Sequence, residues 1–140
     1  MNPILRKIFL TALFSFFVFY RASSPDMVGT LLISPPPVDA YRKLMEAIGF
    51  VETMNNNQAY NPREQAAGIF QIRPIRLEDY NRRTGSRYTM RDLFNYEVSR
   101  KIFIYYADQI GPNDYEQIAR RWNGSGHKTT FYWNRIKACL

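Results

Sequence analysis

Cysteine and histidine are nearly missing from this chain of 140 residues, which carries one of each, Cys139 and His127. A single thiol excludes an intrachain disulfide framework and any Cys-rich zinc or iron–sulfur site, and one imidazole leaves little for a His-based metal site. No metal and no cofactor is therefore expected, and the chemistry must come mainly from carboxylates, amides and hydroxyls. His127 sits in a Gly/Ser-rich turn and reads as an exposed loop residue. Cys139 is either an inert thiol or, in an oxidising compartment, a cross-link to a second chain. Acidic residues are missing from the start of the chain, the first being Asp26. What is plentiful is core material: 46% of residues are hydrophobic and 16% aromatic, which excludes a disordered or low-complexity chain.

The net charge is +7, and three of those charges, Arg6, Lys7 and Arg21, flank an apolar run from Ile8 to Tyr20. The later arginines, among them Arg63, Arg73, Arg76, Arg82, Arg83 and Arg91, are interleaved with Glu64, Glu78, Asp79 and Asp92. A nucleic-acid binder concentrates its basic residues on one face or tract, so this spacing reads as a solvated mixed-charge surface with no nucleic-acid partner.

Residues 1–22 have the layout of a signal peptide or an uncleaved signal anchor: a basic start, then an apolar stretch. In a helix, Ile8–Tyr20 covers about 20 Å against roughly 30 Å of hydrocarbon, too short for an easy span. Ala22, Ser23 and Ser24 offer small residues for cleavage, but Pro25 follows them. The expectation is export to the periplasm, cell envelope or outside, with membrane contact only through this segment if it stays uncleaved. Residues 23–38 form a linker stiffened by Pro35, Pro36 and Pro37, and residues 39–140 form one domain.

The domain's pattern is helical. Asp39 is placed to cap a helix with Tyr41, Leu44, Ile48 and Val51 on one face, ending near Met54. A second helix is expected over Ile75–Arg83 with its stop at Gly85, and Thr89-x-x-Asp92 has the form of a capping box. Asn95 opens a helix expected to bury Val98, Ile102, Tyr105, Tyr106 and Ile110, with Gly111-Pro112 as its stop. Asp114-x-x-Gln117 opens another with Ile118 and Trp122 inside, and a last helix from about Thr130 turns Tyr132, Trp133 and Ile136 inward. Strands are expected only as a small β-hairpin insertion between Asn56 and Ile72. The fold class is all-α, or mainly α.

Glu52 is the residue with chemistry in it. It follows Ile48 by four positions, in the last turn of its helix, where partial burial and the negative end of the helix dipole both raise a carboxyl pKa. A raised carboxyl is what a general acid near neutral pH requires. Further on, Gly68-Ile69-Phe70-Gln71 is an apolar turn bearing one amide, in which Gly68 allows a close backbone approach or a positive φ. Gln71 suits a neutral, hydroxyl-rich ligand. Arg121-Trp122-Asn123-Gly124-Ser125 adds an aromatic face and a second amide, the usual furnishing of a carbohydrate groove.

Together these segments resemble the soluble lytic transglycosylase family of the lysozyme-like superfamily, over Ala40 to about Ile136. In that family a helix ends on a catalytic Glu followed by Ser, here Glu52-Thr53. A Gly-Leu-Met-Gln motif follows, here Gly68-Ile69-Phe70-Gln71. An Ala-Tyr-Asn-x-Gly motif is approximated by Arg121-Trp122-Asn123-Gly124-Ser125, and a Thr-x-x-Tyr-Val element by Thr129-Thr130-Phe131-Tyr132-Trp133. The resemblance implies a lysozyme-like domain that cleaves the MurNAc-β-1,4-GlcNAc bond of peptidoglycan and leaves 1,6-anhydro-muramoyl ends. Glu52 is then the catalytic acid and base, and Thr53, Tyr60, Gly68, Phe70, Gln71, Trp122, Asn123 and Tyr132 line the substrate site. Its partner is the glycan strand, and its use is wall remodelling or opening a gap for an envelope-spanning machine.

Two departures separate the chain from that pattern. Thr53 adds a methyl where the family has Ser, and Trp122 lacks the hydroxyl of the motif Tyr, which leaves Tyr132 or Tyr60 to supply one. The alternatives are a hydrolytic lysozyme, with Glu64 or Asp79 as second carboxylate, and an inactive peptidoglycan-binding or assembly module on the same fold.

Overall fold

The computed structural model describes residues 39–140, so the export segment and the proline linker lie outside the described residues. Among those residues the chain is mainly helical. Five α-helices, α1 Arg42–Thr53, α2 Pro74–Thr84, α3 Tyr96–Asp108, α4 Tyr115–Asn123 and α5 Lys128–Lys137, accompany one small sheet. None is long and apolar enough to cross a membrane.

The helix borders follow from local chemistry. Contrary to expectation, Asp39 does not cap α1, because its carboxylate is used just ahead of the helix. It accepts from the Tyr41 amide at 3.2 Å and pairs with Arg100 at 2.7 Å, and α1 starts after Tyr41. Met54 then ends α1 in the left-handed region, where its amide and that of Asn55 close on the Phe50 and Gly49 carbonyls. Pro74 opens α2, where a missing N–H costs nothing, and Gly85 ends it at φ 71°. Thr89 and Asp92 close their capping box on a 3-10 turn, Met90–Phe94. Asn95 and Asp114 cap α3 and α4 by accepting from the amides of Glu97 and Gln117.

The expected hairpin is present as β1, Tyr60–Asn61, antiparallel to β2, Ala66–Ala67, with Tyr60 opposite Ala67. An isolated bridge from Ala67 to Ile72 turns the chain back toward the core.

The core gathers Leu44 and Ile48 of α1, Phe70 and Ile72 after the hairpin, Leu93 of the 3-10 turn, Ile102 and Phe103 of α3, and Ile136 of α5. Burying side chains of this size stabilises a fold by about 1.5–3 kcal/mol each. The inward face of α3 differs from the expected one. Ser99, Ile102, Phe103 and Ala107 are buried, while Val98, Tyr105, Tyr106 and Ile110 flank them half-buried. The flanking tyrosines keep polar ends that need partners, and Tyr106 finds them on α2, donating to Asp79 at 2.9 Å. Ser99 is buried without cost because its hydroxyl donates to the Leu93 carbonyl at 2.7 Å.

Candidate active site

Glu52 stands in the last turn of α1 and lines a cleft of about 290 Å³. Burial is the main influence on its carboxyl and pushes the pKa above the ordinary value. Two groups on α5 oppose that shift. The Tyr132 hydroxyl donates to Glu52 Oε1 at 2.8 Å, and the Arg135 charge acts from one helical turn further on. Arg135 also donates to the Val51 carbonyl at 3.1 Å, one of the orphan carbonyls at the end of α1. α5 therefore holds both the carboxylate and the backbone that carries it. Burial and the neighbouring carboxylate push the Tyr132 phenol up, so it stays a donor at every physiological pH.

The far wall comes from two other parts of the chain. Gln71 and Asn61 reach the cleft from the hairpin side, and Trp122, Asn123 and Gly124 reach it from the end of α4. Gln71 adopts φ 50°, a conformation that costs a non-glycine residue roughly 1–2 kcal/mol. Its side-chain amide donates to the Gly68 carbonyl at 3.0 Å, so the strained turn is braced by the residue that suffers it. Strain held at a cleft in this way is a mark of functional sites. The Trp122 indole donates to the Phe70 carbonyl at 3.1 Å, joining the two walls.

Of the expected site residues, Glu52, Gln71, Trp122 and Asn123 share the cleft, and Tyr132 binds Glu52. The others stand elsewhere. Phe70 has no exposed surface and packs against Phe103 with ring centroids 5.1 Å apart, so it is a core residue. Gly68 has φ 76°, and a Cβ there would lie 2.1 Å from the Leu93 carbonyl oxygen. The close approach it allows is that of the Leu93 backbone. The Thr53 hydroxyl shares its proton between the carbonyls of Gly49 and Ile69, at 3.0 and 3.1 Å. It fastens the Gly68–Gln71 turn to α1 instead of lining the cleft. Tyr60 is 54% exposed on β1 and does not line the cleft, so the hydroxyl beside the carboxylate is that of Tyr132.

The two candidates for a second carboxylate also part company. Asp79 is held by Arg83, Arg82 and the Tyr106 hydroxyl, which bring its pKa down to about 2, and it does not line the cleft. Glu64 does line it and pairs there with Arg73 at 3.2 Å.

Arg73 and Arg76 are site residues that sequence reasoning missed. Both line the cleft, and Arg76 lies over the Trp122 ring at 4.1 Å while donating to the Trp122 carbonyl at 3.0 Å. Arg73 is the extended residue just before α2 and Arg76 lies in its first turn, and their place in a stretch of alternating arginines and carboxylates, Glu64, Glu78 and Asp79, disguised them as surface charge. Among the described residues no cluster of three metal-ligating side chains occurs. Comparison with family models, curated proteins and solved structures finds no match to this chain.

Proposed function

We propose that the protein is a peptidoglycan lytic transglycosylase on a lysozyme-like domain, with Glu52 as its single catalytic carboxyl. The observation that carries this reading is the Tyr132–Glu52 hydrogen bond of 2.8 Å at the edge of an amide- and tryptophan-lined cleft. It supplies, from α5, the hydroxyl that the Ala-Tyr-Asn-x-Gly resemblance places at the position of Trp122.

The chemistry asked of the site is a proton moved out and back. Protonated Glu52 gives its proton to the glycosidic oxygen as the bond to the muramoyl C1 breaks, and the departing sugar leaves as an alcohol. The substrate's acetamido oxygen bonds to C1 and takes up the developing positive charge. The Glu52 carboxylate then removes the proton of the muramoyl 6-hydroxyl, whose oxygen displaces the acetamido group from C1 and closes the 1,6-anhydro ring. No water is consumed, and the carboxyl ends as it began. Tyr132 stabilises the intervening carboxylate by donating to it, while burial restores the proton affinity needed for the next cycle. Gln71 and Asn123 suit the amide groups of the glycan, and Trp122 offers apolar surface within the same wall. Metal ions and cofactors have no part in this scheme, and nucleic acid is not a partner. Export, glycan strands as partner and use beside envelope-spanning machinery belong to the same proposal.

Hydrolysis is the second reading, and Glu64 favours it because it lines the same cleft. A retaining or inverting hydrolase needs such a second carboxylate. The deciding experiment incubates the protein and its Glu52→Gln variant with purified sacculi and identifies soluble products by mass spectrometry. Anhydro-muramoyl products from the wild type alone are expected. Reducing ends would transfer the assignment to a lysozyme, and sacculi bound without any release would make the protein a binding module.

A further inference from the structure

Arg76 stands half-buried in the first turn of α2, and its guanidinium is spent on the end of another helix. It meets Trp122 twice, over the indole ring at 4.1 Å and through a hydrogen bond donated to the Trp122 carbonyl at 3.0 Å. The same nitrogen, Nη2, also donates to the Arg121 carbonyl at 3.3 Å. Both carbonyls belong to the last turn of α4, where C=O groups have no partner inside the helix. Gly124 leaves the helix at φ 134°, and its amide closes on the Arg120 carbonyl at 3.1 Å. The next two carbonyls fall to Arg76. It thus caps α4 from α2 and sets a positive charge at the negative end of the α4 dipole.

Further contacts fix both pieces that this arginine joins. The Tyr106 hydroxyl donates to the Arg76 carbonyl at 3.0 Å, and the Tyr106 ring lies 5.6 Å from the guanidinium. The Trp122 indole donates to the Phe70 carbonyl, and its ring packs on Phe103 with centroids 4.8 Å apart. Arg76 has no carboxylate partner among the described residues, and desolvation pulls its pKa down. A charge kept from water without a counter-ion is costly. The indole face and the two carbonyls are what offset that cost here.

We infer that Arg76 is a positioning residue, which holds the Trp122–Asn123–Gly124 wall of the cleft in place and so sets the affinity for the glycan. The inference rests on the glycan reading of that cleft. Asn123 follows directly on the carbonyl that Arg76 grips, so a shift there carries the Asn123 amide and Gly124 with it. Glu52 is held separately, by Tyr132 of α5, so a loosened wall weakens binding more than it slows the chemical step. The double grip needs a planar guanidinium, which stacks and donates at once. A lysine ammonium on its flexible stem keeps the charge but not that geometry.

The test compares the full chain with its Arg76→Lys and Arg76→Gln variants. NMR follows the solvent exchange of the Trp122 indole N–H, identified by the signal that persists in a Trp133→Phe variant. Both Arg76 variants are expected to speed that exchange by roughly tenfold, as local opening of the wall becomes easier. On soluble glycan strands both should raise KM roughly fivefold, as for one lost hydrogen bond, with kcat within about twofold of the wild type. Wild-type exchange in both variants would overturn the inference. An Arg76→Lys protein with the wild-type KM would overturn it too, because charge alone would then account for the role. Arg76→Lys carries both readouts where Arg76→Gln fails to fold. The exchange is measured without glycan, so a failure of this role and a failure of glycan cleavage are separate results.

Discussion

Tyr132 and Glu52 are eighty residues apart in sequence and joined by one hydrogen bond of 2.8 Å. The phenol and the Arg135 charge draw the Glu52 pKa down, whereas burial drives it up, and burial prevails. The proton affinity of the carboxyl is therefore the outcome of a contest between α1, which buries it, and α5, which solvates it.

Replacing Tyr132 by Phe removes one side of that contest. A hydrogen bond to a charged group contributes about 1.5–3 kcal/mol, so glycan cleavage is expected to fall at least roughly tenfold. The Glu52 pKa rises further, and the alkaline limb of the pH–rate profile moves to higher pH. Rate profiles of the two proteins on sacculi check both effects, and an unmoved alkaline limb counts against the role given to Tyr132.

Arg135→Gln is expected to shift that limb in the same direction by less, because the guanidinium is exposed and screened by salt. Arg135→Lys keeps the charge without the guanidinium that donates to the Val51 carbonyl, and should recover the pH profile more fully than the rate. High ionic strength should imitate the Gln variant in the wild-type protein.

The raised pKa of Glu52 has a consequence for stability, with a definite sign. The folded state binds this proton more tightly than the unfolded chain does. Its contribution is therefore fully present below the unfolded value and is lost as pH rises through the folded one. Glu52→Gln keeps an acceptor for Tyr132 and removes the buried charge, so its Tm should exceed that of the wild type near pH 8. Near pH 4 the two melting curves should converge.

Gly68→Ala places a methyl group on the Leu93 carbonyl and keeps a left-handed φ. Overpacking and strain together should destabilise the domain by at least about 2 kcal/mol in urea unfolding. Soluble Gly68→Ala protein with unchanged stability would mean that the turn and the 3-10 segment do not meet as described.

Phe70→Ala should cost about 3–5 kcal/mol, the loss expected of a large side chain deleted from a packed core. Phe70→Leu, folded but less stable, should cleave with an unchanged KM, since the ring is fully buried against Phe103 and Trp122.

The helical class and most element borders were legible because they depend on neighbours in sequence. Asn95, Asp114, the Thr89–Asp92 box and Gly85 each act within a few residues, and each acts as expected. Glu52 was legible for the same reason, as a carboxylate at a helix end. The rest depended on what comes close in space. Tyr132 and Tyr60 are equivalent by residue type, and only the packing of α5 on α1 decides between them. Phe70 lies in a turn that resembles a substrate-binding motif, yet its ring fills the core, and the Leu93 carbonyl occupies the space where a Gly68 side chain would stand. Asp39 had two uses for one carboxylate, and a distant arginine took one of them.

The pairing of Glu52 with a residue of α5 also sets an order in time. As the chain leaves the ribosome, the carboxylate emerges first, and at about 5–20 residues per second the phenol follows roughly 4–16 s later. Until α5 folds back, α1 has neither its partner for Glu52 nor the cation that closes its last turn. A site assembled in this way is incomplete until its last helix has been made.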